Sequence, residues 1–157
     1  ADSFQALSFE VEHMGGPGQP DVVVEGLVGS DTYRAVIEAK TCGEGDTLSL
    51  GRVDYGSISD HREEHTADYA LLIAPAFSGG KLVDRAIRNR VGMLTTDALV
   101  SILKLHDHFP FSIAELRRLF ERKGLADGID RVGVAADAEI GQLDAPQPGP
   151  GVFLRVG

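Results

Sequence analysis

The sequence predicts an α/β fold in which a mixed central sheet is flanked by helices. Residues 22–39 form two stretches of alternating character around a turn, which is typical of a β-hairpin. Residues 68–74 form an almost continuous apolar run, which is typical of a strand buried on both faces. Helical patterns at 49–65 and 82–90 surround that run, and this alternation favours an α/β architecture.

The hairpin is predicted to bring together three charged side chains. Because successive side chains of a strand point to opposite faces, Glu38 and Lys40 share a face. The glycine-containing turn at residues 26–31 allows the two strands to pair antiparallel, and this pairing places Asp21 near Glu38. Two carboxylates and an ammonium are therefore expected at one end of the hairpin.

These three residue types suit metal-dependent hydrolysis of a phosphodiester. Two neighbouring carboxylates repel each other unless a proton or a cation lies between them. Their oxygens suit Mg²⁺, and a lysine beside the metal can orient water and stabilise developing negative charge. A half-buried strand with a solvated charged face would have the same pattern of residues, so the spacing alone leaves both interpretations open.

The remaining elements follow from local patterns. Residues 1–7 resemble the end of a helix, and 9–13 alternate as a short strand. After a loop at 41–46, a helix is expected from about Ser49 to His65, and its predicted inner side holds Leu50, Val53 and Ile58. Downstream we expect a helix at 82–90, a strand at 91–94 and a helix at 97–105 that is capped by Thr95 or Thr96. A last helix is expected to begin with the capping box Ser112–Glu115, to run through Arg122 and to be ended by Gly124.

Basic side chains follow the hairpin in two places. Arg52 lies near the start of the predicted helix at 49–65, where it is a candidate phosphate ligand. The densest basic cluster comprises Lys81, Arg85, Arg88 and Arg90. A DNA-binding surface and an ordinary solvated helix face explain this cluster about equally well.

A second possible metal motif lies at residues 61–65. His61 and His65 have the spacing of an H-x-x-E-H zinc motif and would share one helical face. A charged, solvated helix end is the simpler explanation, because no other feature of the sequence indicates a protease.

An ordered set of stretches resembles the motifs of a known family. The set comprises His13-Met14-Gly15-Gly16, Pro20-Asp21, Glu38-Ala39-Lys40, Leu50-Gly51, Asp54, Leu71-Leu72-Ile73, Phe77-Ser78-Gly79 and the segment from Phe111 to Phe120. Together they resemble the PD-(D/E)xK nuclease superfamily, and more narrowly the cleavage domain of FokI-type type IIS restriction endonucleases. The resemblance spans roughly residues 8–122, and the E-x-K motif alone would be a weak signal.

The resemblance implies a restriction-endonuclease-like core that cleaves double-stranded DNA. By that resemblance Asp21 and Glu38 hold Mg²⁺, for which Mn²⁺ substitutes, with help from the backbone carbonyl of Ala39. Lys40 orients or activates the water. The family's opening helix, which often carries a further acid, is largely missing, so the chain is expected to be part of a longer protein.

The resemblance also implies a transient homodimer on DNA. Asp54 matches a position on the family's pairing helix, whereas Ile58 replaces the basic residue expected one turn later. Ile58 is therefore either part of a different dimer surface or a core residue.

Composition limits the partners. A net charge of −9 argues against tight DNA binding by this chain alone. Either part of the negative charge belongs to the metal site itself, or a separate recognition domain in the full-length protein delivers this one to DNA, and the resemblance to FokI-type enzymes implies the second. A single cysteine, Cys42, and no signal peptide favour the cytoplasm, and no apolar run is long enough to cross a membrane.

The sequence divides into a nuclease domain at residues 1–124 and a C-terminal extension at 125–157 with a possible strand at 152–154. Two other functions stay open. One is another nuclease of the superfamily, such as a junction resolvase or a transposon end-cleaving subunit. The other is a catalytically silent module that binds nucleic acid or protein.

Overall fold

The computed structural model describes residues 1–126, which form one six-stranded sheet with helices on both faces. The strands are β1 (Glu10–His13), β2 (Val22–Gly26), β3 (Tyr33–Ala39), β4 (Tyr69–Ala74), β5 (Val91–Thr95) and β6 (Gly124–Ala126), and they lie side by side in chain order. The first three strands pair antiparallel, and β3 to β6 pair parallel. The prediction of a mixed central sheet flanked by helices is confirmed.

The helices divide between the two faces of the sheet. They are α1 (Asp2–Ala6), α2 (Tyr55–Glu64), α3 (Lys81–Arg88), α4 (Thr96–His108), α5 (Ile113–Leu116) and α6 (Arg118–Glu121). The buried side chains of α2 and α3 pack with Val23, Val36 and Leu72 on one face of the sheet. Those of α1, α4, α5 and α6 pack with Val24, Ile37 and Leu71 on the other face.

Both faces of β3 are therefore covered at the centre of the strand, while Arg34, Glu38 and Lys40 on the face of Val36 are partly exposed. Val36 and Ile37 point to opposite faces and are each only 2% exposed. Glu38 lies on the same face as Val36, so its carboxylate is on the side that α2 and α3 cover. A charged residue in that position has to find a partner, because burying an uncompensated charge is costly.

The predicted helix at 49–65 is two elements. A 3-10 turn at Leu50–Arg52 comes first, and α2 begins only after Asp54. The Asp54 carboxylate accepts hydrogen bonds from the backbone N–H groups of Gly56 and Ser57, at 3.0 and 3.1 Å. An aspartate that satisfies the first free N–H groups starts a new helix, which is why one continuous helix does not form.

The end of the predicted nuclease domain also differs. The last helical segment is split into α5 and α6 and ends at Glu121. Gly124 does not end that helix; it opens β6 with a left-handed φ of 83°. The predicted boundary after residue 124 therefore falls inside a strand that pairs with β5, and the sheet extends to Ala126. The predicted strand at 152–154 lies outside the described residues.

Two predicted helix starts are confirmed. The Thr95 hydroxyl accepts a hydrogen bond from the N–H of Ala98 and caps α4. Ser112 and Glu115 form the capping box that opens α5. None of the helices between residues 1 and 126 has the length and apolarity to span a bilayer.

Candidate active site at the end of the hairpin

The β2–β3 register brings Asp21 and Glu38 next to each other. Val22 lies opposite Ile37 in the antiparallel ladder, so the next positions outward are Asp21 and Glu38. Residues opposite each other on such a pair have Cβ atoms about 5 Å apart. Asp21 Oδ2 accepts a hydrogen bond of 2.6 Å from the backbone N–H of Ala39, which ties the first carboxylate to the strand that carries the second.

Lys40 lies beside these two carboxylates and contacts one of them. Its ammonium donates to Glu38 Oε1 at 2.5 Å, and its backbone N–H donates to the carbonyl of Ile73 at 2.8 Å. The ion pair is only partly shielded, since the side chains of Lys40 and Glu38 are 35% and 17% exposed. The lysine is thus held between the carboxylate on β3 and the end of β4 with its ammonium still in reach of solvent.

Glu38 Oε2 is buried and has no hydrogen-bond partner among the described residues. An orphan carboxylate oxygen costs free energy, because it has lost water and gained no donor. A cation shared with Asp21 would satisfy it. This oxygen and the adjacent Asp21 carboxylate are an all-oxygen donor set that fits Mg²⁺ or Mn²⁺.

The donor set is small. Within residues 1–126 no group of three or more histidine, cysteine, aspartate or glutamate side chains could hold a metal ion. Mg²⁺ usually keeps several waters and is held by one or two carboxylates together with substrate phosphates. Two carboxylates with a neighbouring carbonyl therefore suit Mg²⁺ better than a metal that needs a complete protein cage.

The same observation argues against the zinc motif at His61 and His65. Both imidazoles face the loop between β1 and β2, where His61 Nε2 lies 3.1 Å from the Gly18 carbonyl and His65 Nε2 lies 3.1 Å from Gln19 Oε1. The i, i+4 spacing did place them on one helical face. That helical face contacts a loop more than forty residues away along the chain. The local spacing of the two histidines gives no information about such a distant contact.

The four candidate DNA ligands do not form one patch. Arg52 donates to the carbonyl of Thr41 at 3.0 Å, directly after Lys40. Lys81 opens α3, at the sheet edge where β4 ends, and this is the edge that carries Asp21 and Glu38. Because α3 connects two parallel strands, it runs back along the sheet, and Arg85 and Arg88 lie progressively farther from that edge.

The two candidate dimer residues are in different environments. Ile58 is 3% exposed and packs in the core beneath α2, so of its two predicted roles the structure shows the core role. Asp54 is exposed, caps α2 and lines a surface groove of about 510 Å³ together with Arg85 and Asn89.

The fold is similar to that of the restriction endonuclease FokI. One FokI structure superposes with a TM-score of 0.59 and 14% identity over 74% of this chain and 25% of that chain. A structure of FokI bound to DNA gives 0.58 and 13% over 76% of this chain and 25% of that chain. This chain therefore spans about a quarter of FokI, and at such identities the similarity shows a shared fold.

No protein-family model and no curated protein matches the chain.

Proposed function

We propose that this chain is the cleavage domain of a metal-dependent DNA endonuclease, of the type IIS-like restriction class. The observation that carries the proposal is the group at the end of the hairpin. Asp21, Glu38 and Lys40 share one partly covered face, and one Glu38 oxygen is buried without a partner. The restriction-endonuclease-like fold gives independent support.

Each residue has a distinct role in this proposal. Asp21 and Glu38, with the Ala39 carbonyl, hold Mg²⁺, and Mn²⁺ substitutes for it. When bound, the metal polarises a phosphoryl oxygen and lowers the pKa of a bound water. Lys40 orients the attacking water and places a positive charge beside the negative charge that develops on the phosphate. Its ion pair with Glu38 keeps the ammonium in place before substrate arrives.

Double-stranded DNA is the proposed substrate, and sequence recognition is assigned to another domain of a longer protein. One of the similar structures is that of FokI bound to DNA. A net charge of −9 is unfavourable for independent binding to a polyanion, so a tethered recognition domain would have to supply most of the affinity. Arg52 and Lys81, which lie at the same edge as the carboxylates, are the proposed phosphate ligands.

We further propose that two such domains pair transiently on DNA, since one site of this kind cuts one strand. Asp54 on the groove beside Arg85 provides an acidic and a basic residue on the same face. In a two-fold symmetric pair, Asp54 of each copy would approach Arg85 of the other. Ile58 takes no part, because its side chain is in the core.

Cleavage of supercoiled plasmid by the purified chain tests the proposed function. We expect nicking in Mg²⁺ or Mn²⁺, none in EDTA, and loss of nicking in Glu38→Gln. Glu25→Gln is the matched control, because Glu25 lies on β2 near the opposite end of the hairpin, across from Arg34. Equal activity of Glu38→Gln and the wild type would overturn the assignment. Preferential cleavage of a four-way junction over linear duplex would instead favour a junction resolvase. Failure of the chain to bind Mn²⁺ would favour a catalytically silent binding module.

A further inference from the structure

His61 of α2 and His65, the residue that follows the last turn of α2, face the loop of residues 14–20, which connects β1 to β2 and leads into Asp21. His61 is the one buried polar side chain within residues 1–126, at 6% exposure. Its Nε2 lies 3.1 Å from the Gly18 carbonyl oxygen. His65, one turn later, contacts the side chain of Gln19 at 3.1 Å. The loop is therefore attached to the helix at two consecutive residues.

The contact between His61 and Gly18 requires a donor on the helix. A carbonyl oxygen only accepts hydrogen bonds, so Nε2 of His61 must carry a proton. Ser57 Oγ lies farther from the same nitrogen, at 3.4 Å, so the Gly18 carbonyl is the better partner. The imidazole of His61 is buried whereas Gly18 is exposed, so the donor of this hydrogen bond is shielded from competing water, and a shielded donor holds the loop more firmly than an exposed one.

The loop in turn fixes Asp21. Its base is closed by the N–H of Met14, which donates to the Asp21 carbonyl at 3.2 Å, and its turn by the N–H of Gln19, which donates to the Gly16 carbonyl. Pro20, between Gln19 and Asp21, is buried and has a restricted φ. A displacement at Gly18 is therefore transmitted over three residues to the Asp21 carboxylate, which has to stay within reach of the Ala39 N–H.

We propose that His61 is a positioning residue for Asp21, acting through its hydrogen bond to the Gly18 carbonyl, with His65 as a weaker second attachment. The consequence for metal binding rests on the proposed function above. Residues that orient metal ligands from outside the coordination sphere typically contribute 10–100-fold to metal affinity. The H-x-x-E-H spacing of the sequence thus serves a loop next to the carboxylates and not a zinc ion.

Three variants of the full chain test the proposal. His61→Leu removes the donor and keeps an apolar side chain in the buried space. His61→Gln keeps an N–H donor at similar reach. His106→Leu is the matched control, since it also removes a histidine–backbone hydrogen bond, from the Phe111 N–H to His106 Nδ1 at 3.0 Å, but on the α4 face of the sheet.

The first readout is amide hydrogen exchange without metal, measured by NMR at Met14, Gln19 and Ala39, whose N–H groups report the loop and the Asp21 contact. We expect His61→Leu to speed exchange at these three amides roughly tenfold or more, with His61→Gln and His106→Leu close to the wild type. Unchanged exchange in His61→Leu would overturn the proposal, as would a His61→Gln variant as perturbed as His61→Leu.

The second readout is the Kd for Mn²⁺ from calorimetry. His61→Leu should weaken binding about tenfold or more, and His61→Gln should restore it to within about threefold. Wild-type affinity in His61→Leu would overturn the link to Asp21. Absence of Mn²⁺ binding by the wild type would overturn the proposed function instead, and the exchange measurement would still decide whether His61 holds the loop.

Discussion

The Asp21 carboxylate accepts a hydrogen bond of 2.6 Å from the backbone N–H of Ala39, the residue directly after Glu38. This contact locks the loop that precedes β2 to the end of β3. It also occupies one oxygen of Asp21 and leaves the other for a further ligand. The position of the first carboxylate is thus set by the strand that carries the second.

Asp21→Asn and Asp21→Ala should separate the charge of Asp21 from its hydrogen bond. Both variants should lose at least about 100-fold in nicking rate, since neither supplies an anionic metal ligand. The asparagine keeps an acceptor for the Ala39 N–H and removes the repulsion between residue 21 and Glu38. Without metal, the free energy of unfolding of Asp21→Asn should therefore equal that of the wild type or exceed it by up to about 1 kcal/mol. Thermal melting with and without Mn²⁺ is the measurement, and an equal rise in Tm for Asp21→Asn and the wild type would contradict the metal assignment.

Lys40→Met should reduce catalysis while sparing metal binding. The variant removes the charge that stabilises the developing phosphate anion, and losses of about 10²–10³ in kcat are typical for such a group. It also removes the competitor for Glu38 Oε1, so the Mn²⁺ affinity should be unchanged or increased. Single-turnover cleavage and calorimetry measure the two effects. The control is Lys104→Met on the exposed side of α4; weakened Mn²⁺ binding in Lys40→Met alone would show that the lysine acts through the metal site.

Arg52→Gln and Lys81→Gln should each weaken binding to duplex DNA in Ca²⁺. The logarithm of the DNA-binding constant falls as the logarithm of the salt concentration rises. Each lost phosphate contact should make this negative slope shallower by about 0.9, with little dependence on DNA sequence. Fluorescence anisotropy on unrelated duplexes at several salt concentrations measures this. Arg118→Gln provides the control, because Arg118 is exposed on α6, which leads into the opposite edge of the sheet. An equal loss in the control would mean that the effect comes from net charge alone.

Asp54→Asn should slow cleavage of the second strand without affecting the first. Asparagine keeps the oxygen that caps α2, so the fold should survive, whereas the charge proposed to meet Arg85 of a second copy is lost. For the wild type of the proposed longer enzyme, the rate of double-strand cleavage should rise more steeply than first order with enzyme concentration. Strict first-order behaviour, with nicked circles accumulating in wild type and variant alike, would mean that single domains work alone.

Ser112→Ala should destabilise the fold by about 1 kcal/mol, as expected for loss of a capping hydroxyl, and leave nicking unchanged. Hydrogen bonds from the Ser112 side chain and backbone N–H lower the pKa of Glu115. A lowered pKa in the folded state gives a contribution that is present above the ordinary pKa of a glutamate and is lost as the pH falls through the folded-state pKa. Urea unfolding should therefore show a smaller difference between variant and wild type at about pH 3 than at about pH 7; a difference that grows in acid would contradict this cap.

Local patterns predicted much of the site because its main parts are close in sequence. The alternation of β3 and the turn at 26–31 were sufficient to place Asp21 beside Glu38 and Lys40 on the face of Glu38. The capping residues Thr95 and Ser112 were found for the same reason, since each bonds a backbone group three residues away. The interruption at Asp54 was missed, because a capping aspartate and an ordinary exposed helical residue look alike in a hydrophobic pattern.

The sequence by itself determined the β2–β3 hairpin, the pairing of its carboxylates and the apolar strand that became β4, because alternation, turn residues and caps act over a few residues. Only the tertiary structure decided which charged groups are covered and what they touch. The burial of Glu38 Oε2, the pairing of Gly124 with β5 and the contact of His61 with Gly18 each depend on parts of the chain that are distant in sequence. Such contacts arise from packing of whole elements against each other, and the periodicity of a single segment carries no information about its partner.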